Sequence, residues 1–356
     1  MEVKRLALHS VHPYPCKFTP NVVLDHLPAS GIVLDPYCGS GTTLLEAAVR
    51  RHNVIGIDCN PIAILISRCK LARLDARESS SLHMMTANPE KIAKGLSAFR
   101  GSLHDFHGRD HWFSHQAQRE LAYCLQFVNS ADRSSDLWAV LATALSAIVN
   151  TYSNQDSETR YVRRTKDHLP GDLTYAFTEK LIKIEEALRA RGPLSRSRST
   201  LLLGDLRMTP PIASGSVDVV ITSPPYANTM DYYLYHKQRM NVLGFDFKLV
   251  QSQEIGSRHQ FSSRKDSIEQ WNLDYTIGLE QVLRMLKQGG KAWIIIGDSR
   301  IAGVKVDGAE LTLDSARSLG YKAELVDSQP MHSRSRMFSA SFQSPGKSEH
   351  VVLIHG

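Results

Sequence analysis

The string V-V-I-T-S-P-P-Y, Val219 to Tyr226, sets a serine, two prolines and a tyrosine directly after an apolar run. A double proline cannot continue a strand ladder, and its fixed φ holds the carbonyls of Ser223 and Pro224 in a set direction. That combination suits a planar base: Tyr226 would stack on its face, while Ser223 and the Pro224 carbonyl accept hydrogens from an exocyclic amine. Upstream lies D-P-Y-C-G-S-G-T-T, Asp35 to Thr43. Gly39 and Gly41 allow a tight turn and close approach of the backbone to a nucleotide-like cofactor. Leu44 stands where a dinucleotide fingerprint needs its third glycine, and no Lys follows the glycines as in a phosphate-binding loop, so both of those cofactor classes are disfavoured. Asp58, closing the next apolar run, can accept from ribose hydroxyls. Taken singly, the turn and the carboxylate are common strand-end features; in this order they predict an adenosyl-type cofactor.

Elements that could position these residues recur along the chain. Apolar runs closed by acidic, Gly or Pro residues occupy Gly31 to Asp35, Asn53 to Asp58, Thr200 to Asp205, Val217 to Thr222, Lys291 to Asp298, Lys322 to Asp327 and His350 to Ile354. Their near-continuous apolar character predicts an α/β fold, a mostly parallel sheet of about seven strands with helices on both faces. Helices are expected at Thr43 to Arg51, Pro61 to Leu74 and Ser267 to Leu286. From about Asp75 to Ser199 strand patterns cease, and apolar residues recur at helical spacing in Arg119 to Val128, Leu137 to Val149 and Tyr175 to Leu188. The domain reading is therefore 1–75 with 200–356, interrupted by a helical insertion at 76–199. Arg189 to Ser199 reads as an exposed basic linker, and Phe245 to Arg264 as a long functional loop.

Composition narrows the classes. Among 356 residues, 42% are hydrophobic and 22% charged, which excludes disorder as the dominant state. No uninterrupted apolar run is long enough to span a membrane and the N-terminus lacks a signal-peptide pattern, so a cytoplasmic location and no membrane partner are expected. Five cysteines with no C-x-x-C pair argue against a disulfide framework or zinc ribbon. His104, His107, His111 and His115 with Asp110 lack the H-E-x-x-H arrangement and read as packing or solvated residues, so no metal is expected.

The two motifs carry a resemblance. D-P-Y-C-G-S-G with Asp58 resembles the cofactor motifs of S-adenosylmethionine-dependent methyltransferases, and T-S-P-P-Y resembles the catalytic motif of DNA amino-methyltransferases in the form associated with cytosine-N4 modification. H-P-Y-P-C-K-F, His12 to Phe18, is similar to the segment of those enzymes that closes over the methionine end of the cofactor. L-L-L-G-D-L-R places Asp205 at the family's carboxylate for the adenine amino group, and L-K-Q-G-G-K, Leu286 to Lys291, resembles the turn before its fifth strand. N-Q-D-S-E-T-R-Y, Asn154 to Tyr161, resembles a string of some of these enzymes. The similarity covers roughly 10–74 and 200–356. It implies a Rossmann-like methyltransferase sheet, S-adenosyl-L-methionine as cofactor, and a cofactor site of Tyr14, Lys17, Phe18, Asp35, Tyr37, Gly39, Ser40, Gly41, Thr42, Asp58, Cys59, Asn60, Asp205, Leu206 and Ser223. The catalytic residues it implies are Ser223, Pro224, Pro225 and Tyr226. The cofactor turn here precedes S-P-P-Y, whereas the common cytosine-N4 arrangement runs the other way, so target recognition is left unassigned.

The expected function is methylation of the cytosine N4 amine in double-stranded DNA by base flipping, by a monomer or homodimer beside a possible cognate restriction system. Adenine-N6 methylation, RNA base methylation and a catalytically silent DNA-binding subunit are the alternatives. Ser223 favours cytosine, since adenine enzymes more often carry Asp or Asn there. Arg160, Tyr161, Arg163 and Arg164, with Arg334 and Arg336, are the expected DNA contacts. Tyr232, Tyr233, Tyr235 and His236 are candidates to line the base pocket.

Overall fold

The computed structural model describes residues 7–16, 19–194, 197–262, 267–301, 304–330 and 347–356. The chain divides into two compact units. One, the sheet unit, comprises Pro15–Ile64, Arg196–Tyr232 and Ser252–Gly356; the other, the helical unit, comprises Met1–Tyr14, Leu65–Ser195 and Tyr233–Gln251.

In the sheet unit the chain runs β1 (Ile32–Asp35), α1 (Thr42–Val49), β2 (Asn53–Asp58) and the start of α2 (Pro61–Leu71). After the helical segment it resumes with β3 (Ser199–Leu203) and β4 (Val217–Thr222). Among the described residues these strands join β5 (Leu286–Gly297), β8 (Lys322–Pro330) and β9 (Ser348–His355) in one seven-stranded sheet of order β3-β2-β1-β4-β5-β9-β8. Neighbouring strands from β3 to β5 pair in parallel, while β9 runs antiparallel to both β5 and β8. This is the Rossmann-like arrangement expected. The apolar runs make the sheet's core: Leu34, Val220, Ile294, Ile296, Val352 and Ile354 are buried together with Leu279, Val282 and Leu283 of the helix Ile268–Met285. Ser267 begins that helix by accepting the Gln270 amide, which satisfies one of its unpaired N–H groups.

Strand order reverses between β1 and β4, which pair through Val33 with Val219 and Leu34 with Val220. Such a reversal opens a crevice beyond the carboxyl ends of the two strands, where open α/β sheets bind ligands. Both chemical motifs follow these two strands.

Several expectations change. A small hairpin, β6 (Ser299–Ile301) with β7 (Val304–Val306), adds to the expected strands. The supposed turn Leu286 to Lys291 lies inside β5, where Gly289 at φ +77° and a register shift opposite Val217 and Val219 absorb the bend. Phe245 to Arg264 is not a structureless loop: it holds helices Phe247–Gln253 and Arg258–Ser262. Each is too short to display a helical period.

The helical unit is built on α6 (Asp136–Val149), preceded by α3 (Ala76–Thr86), α4 (Pro89–Ala98) and α5 (His115–Asn129) and followed by α7 (Asp172–Arg191). Every residue from Leu137 to Val149 is buried, as a helix apolar on all sides must be. Leu173, Phe177, Leu181, Ile184 and Leu188 form the buried stripe of α7. α3 starts with a capping box in which Asp75 and Glu78 each accept the other's backbone amide, at 2.7 and 3.0 Å. The expected exposed linker at Arg189 is instead the end of α7. There Arg191 donates to the carbonyls of Lys70 and Ala72, both at 2.7 Å, and Leu194 is buried. Among the described residues, no helix is long and apolar enough to cross a membrane.

Candidate active site

The turn after β1 is set by its glycines. Gly39 has φ +48° and Gly41, capping α1, has φ +74°, the left-handed region that side chains disfavour. Asp58, at the end of β2, accepts the Gly39 amide at 2.9 Å through one oxygen and the Asn60 amide at 2.8 Å through the other. Burial pushes its carboxyl up to about 6, against the lowering effect of those two amides. Ser40 and Asn60 are buried, and neither Ser40 Oγ nor Asn60 Nδ2 has a hydrogen-bond partner among the described residues. Unpaired buried polar atoms cost about 1–3 kcal/mol each, so a polar ligand seated against this turn would satisfy both. The turn thus fits a nucleoside-bearing cofactor.

Beneath the turn, Thr222 Oγ1 at the end of β4 donates to Asp35 Oδ1 at 2.7 Å, and Thr43 Oγ1 donates to the Ile221 carbonyl at 3.2 Å. These bonds tie the glycine turn to the strand that leads into S-P-P-Y. Burial pushes the Asp35 carboxyl up to about 7, opposed by its bonds to Thr222, Thr43 and the Tyr37 amide. Beyond β4, Ser223 Oγ donates to Tyr226 Oη at 3.3 Å, and Tyr226 Oη donates to Glu349 Oε1 at 2.9 Å. The Tyr226 ring sits over Gly297, where a Cβ would come within 2.6 Å of it. Pro224 is buried and Pro225 half-buried. Neither Glu349 nor Gly297 is marked by a motif; the one sequence signal is a glycine closing the buried run I-I-I-G, which often marks close approach of another group.

The remaining expected site residues are divided. Tyr37, Thr42, Cys59, Asp205 and Leu206 lie in the sheet unit with the glycine turn. Arg207 grips both oxygens of Asp205, at 2.6 Å in its closest approach, and also meets Asp274 at 2.8 Å. Tyr37 is half-buried in the sheet unit's core, and desolvation pushes its phenol up. Tyr14 is in the helical unit, buried, with its ring 5.1 Å from that of His236. Lys17, Phe18, Arg334 and Arg336 lie outside the described residues. Of the tyrosines proposed to line a base pocket, Tyr232 is in the sheet unit, hydrogen-bonded to Cys16, whereas Tyr233, Tyr235 and His236 are buried in the helical unit.

In the helical unit, Asn154 to Arg164 folds back on itself. Gln155 bridges Arg163, Asp156 N donates to the Val162 carbonyl at 2.8 Å, and Arg164 N donates to the Asn154 carbonyl at 2.7 Å. Arg160 and Arg164 are exposed and both approach Asp156, at 3.4 and 3.6 Å. Arg163 donates to the His111 carbonyl at 3.1 Å, and Tyr161 packs 4.5 Å from Trp112 with Lys237 over its ring at 5.3 Å. The histidines do not converge: His104 pairs with the Asn241 carbonyl at 2.8 Å and His111 packs on Trp112. Asp298, Asp307 and His350 do approach one another, and there the Lys305 ammonium supplies the positive charge, 3.1 Å from Asp298.

Residues 6–68 match the family model for N6 and N4 methyltransferases, described as DNA methylase. The match includes the whole glycine turn with Asp58 and Asn60. Residues 6–68 are thus similar in sequence to DNA methylases. The chain is 21% identical to the type II methyltransferase M.MjaII of Methanocaldococcus jannaschii, over 82% of this chain and 72% of that one. It is 22% identical to the type II methyltransferase M.MvaI of Kocuria varians, over 69% of this chain and 59% of that one. Identity to the type II methyltransferase M.BsoBI of Geobacillus stearothermophilus is 23%, over 69% and 55%. The chain thus spans less than two thirds of the latter two relatives. Among solved structures, a TehB-like S-adenosylmethionine-dependent methyltransferase of Corynebacterium glutamicum aligns over 95% of this chain and 86% of that one. Its identity of 11% and TM-score of 0.35 are too low to bear on function.

Proposed function

We propose that this protein transfers a methyl group from S-adenosylmethionine to the N4 amine of cytosine in duplex DNA, in the setting of a type II restriction-modification system. The observation that carries the reading is Ser223, placed with Pro224 just beyond β4 at the sheet's reversal point. When bound, the cofactor supplies an electrophilic methyl group. The cytosine amine is a poor nucleophile because its lone pair is delocalised into the ring. Ser223 Oγ and the Pro224 carbonyl, accepting its two hydrogens, draw the nitrogen toward tetrahedral geometry and localise that pair, and the nitrogen, once methylated, releases one of those two protons to water. Tyr226 stacks on the extruded base. On the cofactor side Asp58 accepts from ribose hydroxyls with the lone pairs its two amides leave over, Ser40 and Asn60 complete the polar wall, and Asp205 accepts from the adenine amine.

A carbon-directed route would need a thiolate. Cys16, the one cysteine following a proline, has its thiol pushed up to about 11 by burial, so it stays protonated at neutral pH. The preference for cytosine rests on Ser223. The helical unit, with Arg160 and Arg164 on an exposed loop, is assigned the DNA backbone contacts.

Mass spectrometry of nucleosides from DNA incubated with the protein and cofactor decides the product. N4-methylcytosine, with no covalent trapping on 5-fluorocytosine DNA, is expected. Dominant N6-methyladenine would overturn the base assignment, and methylation of matched RNA in preference to DNA would overturn the substrate.

A further inference from the structure

Resting on that reading, we propose that Glu349 is a positioning residue that fixes the polarity of the hydrogen-bond chain ending at Ser223. A carboxylate only accepts hydrogen bonds. Tyr226 has one hydroxyl proton and, at 2.9 Å from Glu349 Oε1, spends it there. Tyr226 Oη is then an acceptor toward Ser223, 3.3 Å away, and the Ser223 proton is drawn to it. What Ser223 has left toward the substrate is lone pairs. A serine hydroxyl is otherwise free to present either its proton or its lone pairs, and presenting the proton would leave the amine without its acceptor. The distant carboxylate therefore makes Ser223 an acceptor before the base arrives, the preorganisation that keeps a polar site from rearranging during reaction.

The strands hold this device in register. Gly297 of β5 and Glu349 of β9 are cross-strand partners, so one pair provides both the floor and the anchor of Tyr226. Gly297 leaves room for the ring, since a Cβ there would lie 2.6 Å from Tyr226 Cε2 and 2.9 Å from Cδ2. Glu349 holds the hydroxyl at the ring's far end. Burial, then the charge of Glu349, pushes the Tyr226 phenol well up, so it remains a proton donor at neutral pH.

The test compares wild type, Glu349→Gln, Ser223→Ala and the double variant as full-length protein. Glu349→Gln offers Tyr226 a donor as well as an acceptor and so releases the polarity. Its kcat for methyl transfer is expected to fall about 10-fold, the worth of one hydrogen bond, with KM for DNA and cofactor affinity unchanged. In the Ser223→Ala background the same change should cost nothing further, because Glu349 acts only through that hydroxyl. Additive losses, or a loss confined to KM, would overturn the assignment. A readout independent of turnover is the 13Cζ resonance of Tyr226. It should move on Glu349→Gln while the other tyrosine signals stay in place, and an unmoved signal would overturn the chain itself. If Glu349→Gln shows this shift but the wild-type protein methylates no nucleic acid, the proposed function is overturned instead.

Discussion

Arg239 is fully buried, and its guanidinium meets both carboxylate oxygens of Glu158, at 2.6 and 2.7 Å. It also donates to the carbonyls of Ser146 and Tyr235, each at 3.0 Å, while Asn150 donates to Glu158 at 3.0 Å. The ion pair fastens the loop that bears Arg160 and Arg164 to α6 and to the helix Tyr232–Leu243. The two partners differ in exposure, with Arg239 at 0% and Glu158 at 32%. Glu158→Ala strands a buried charge and should cost about 3 kcal/mol. Arg239→Met leaves a carboxylate that water can reach and should cost less. Urea denaturation of the two variants checks the order, and equal losses would mean that water already reaches Arg239.

The cofactor turn and the base loop should separate in binding experiments. Asp58→Ala removes an acceptor and unties the amides of Gly39 and Asn60, so S-adenosylmethionine affinity is expected to fall by about 1–3 kcal/mol. Tyr226→Ala should leave that affinity intact and lower turnover. Calorimetric titration of both variants with the cofactor reads the division directly.

The Asp35 carboxyl links stability to pH. Its folded value, about 7, lies above its ordinary 3.8, so the folded state holds this proton more tightly than the unfolded chain does. The contribution is present in full below the ordinary value and is lost as pH rises through about 7. Asp58, raised to about 6, adds a loss of the same sign over a lower window. Asp35→Asn should flatten the decline in unfolding free energy across this range. Parallel curves for wild type and variant would show that Asp35 does not titrate there.

Arg160→Ala with Arg164→Ala should weaken DNA binding and reduce the slope of log affinity against log salt by about one unit for each phosphate no longer neutralised. Arg163 is a poorer choice for this test, because its side chain is engaged at the His111 carbonyl. Fluorescence anisotropy with a duplex at several salt concentrations provides the slope, and an unchanged one would place the DNA backbone elsewhere.

Local rules made much of this protein legible from its sequence. The glycines at 39 and 41 take the left-handed conformations their turn requires, and the apolar runs of the inner strands β1, β4 and β5 are buried as an uninterrupted apolar sequence demands, whereas β8 at the sheet edge is exposed. The double proline, likewise, could not continue a ladder, and β4 ends just before it at Thr222. Tertiary structure decided what depends on distant residues meeting. Glu349 reaches Tyr226 across 123 residues and Arg239 reaches Glu158 across 81, and neither pair leaves a periodic or spaced trace in the chain. Sequence proximity cannot supply such contacts, because they exist only once the fold brings distant segments together.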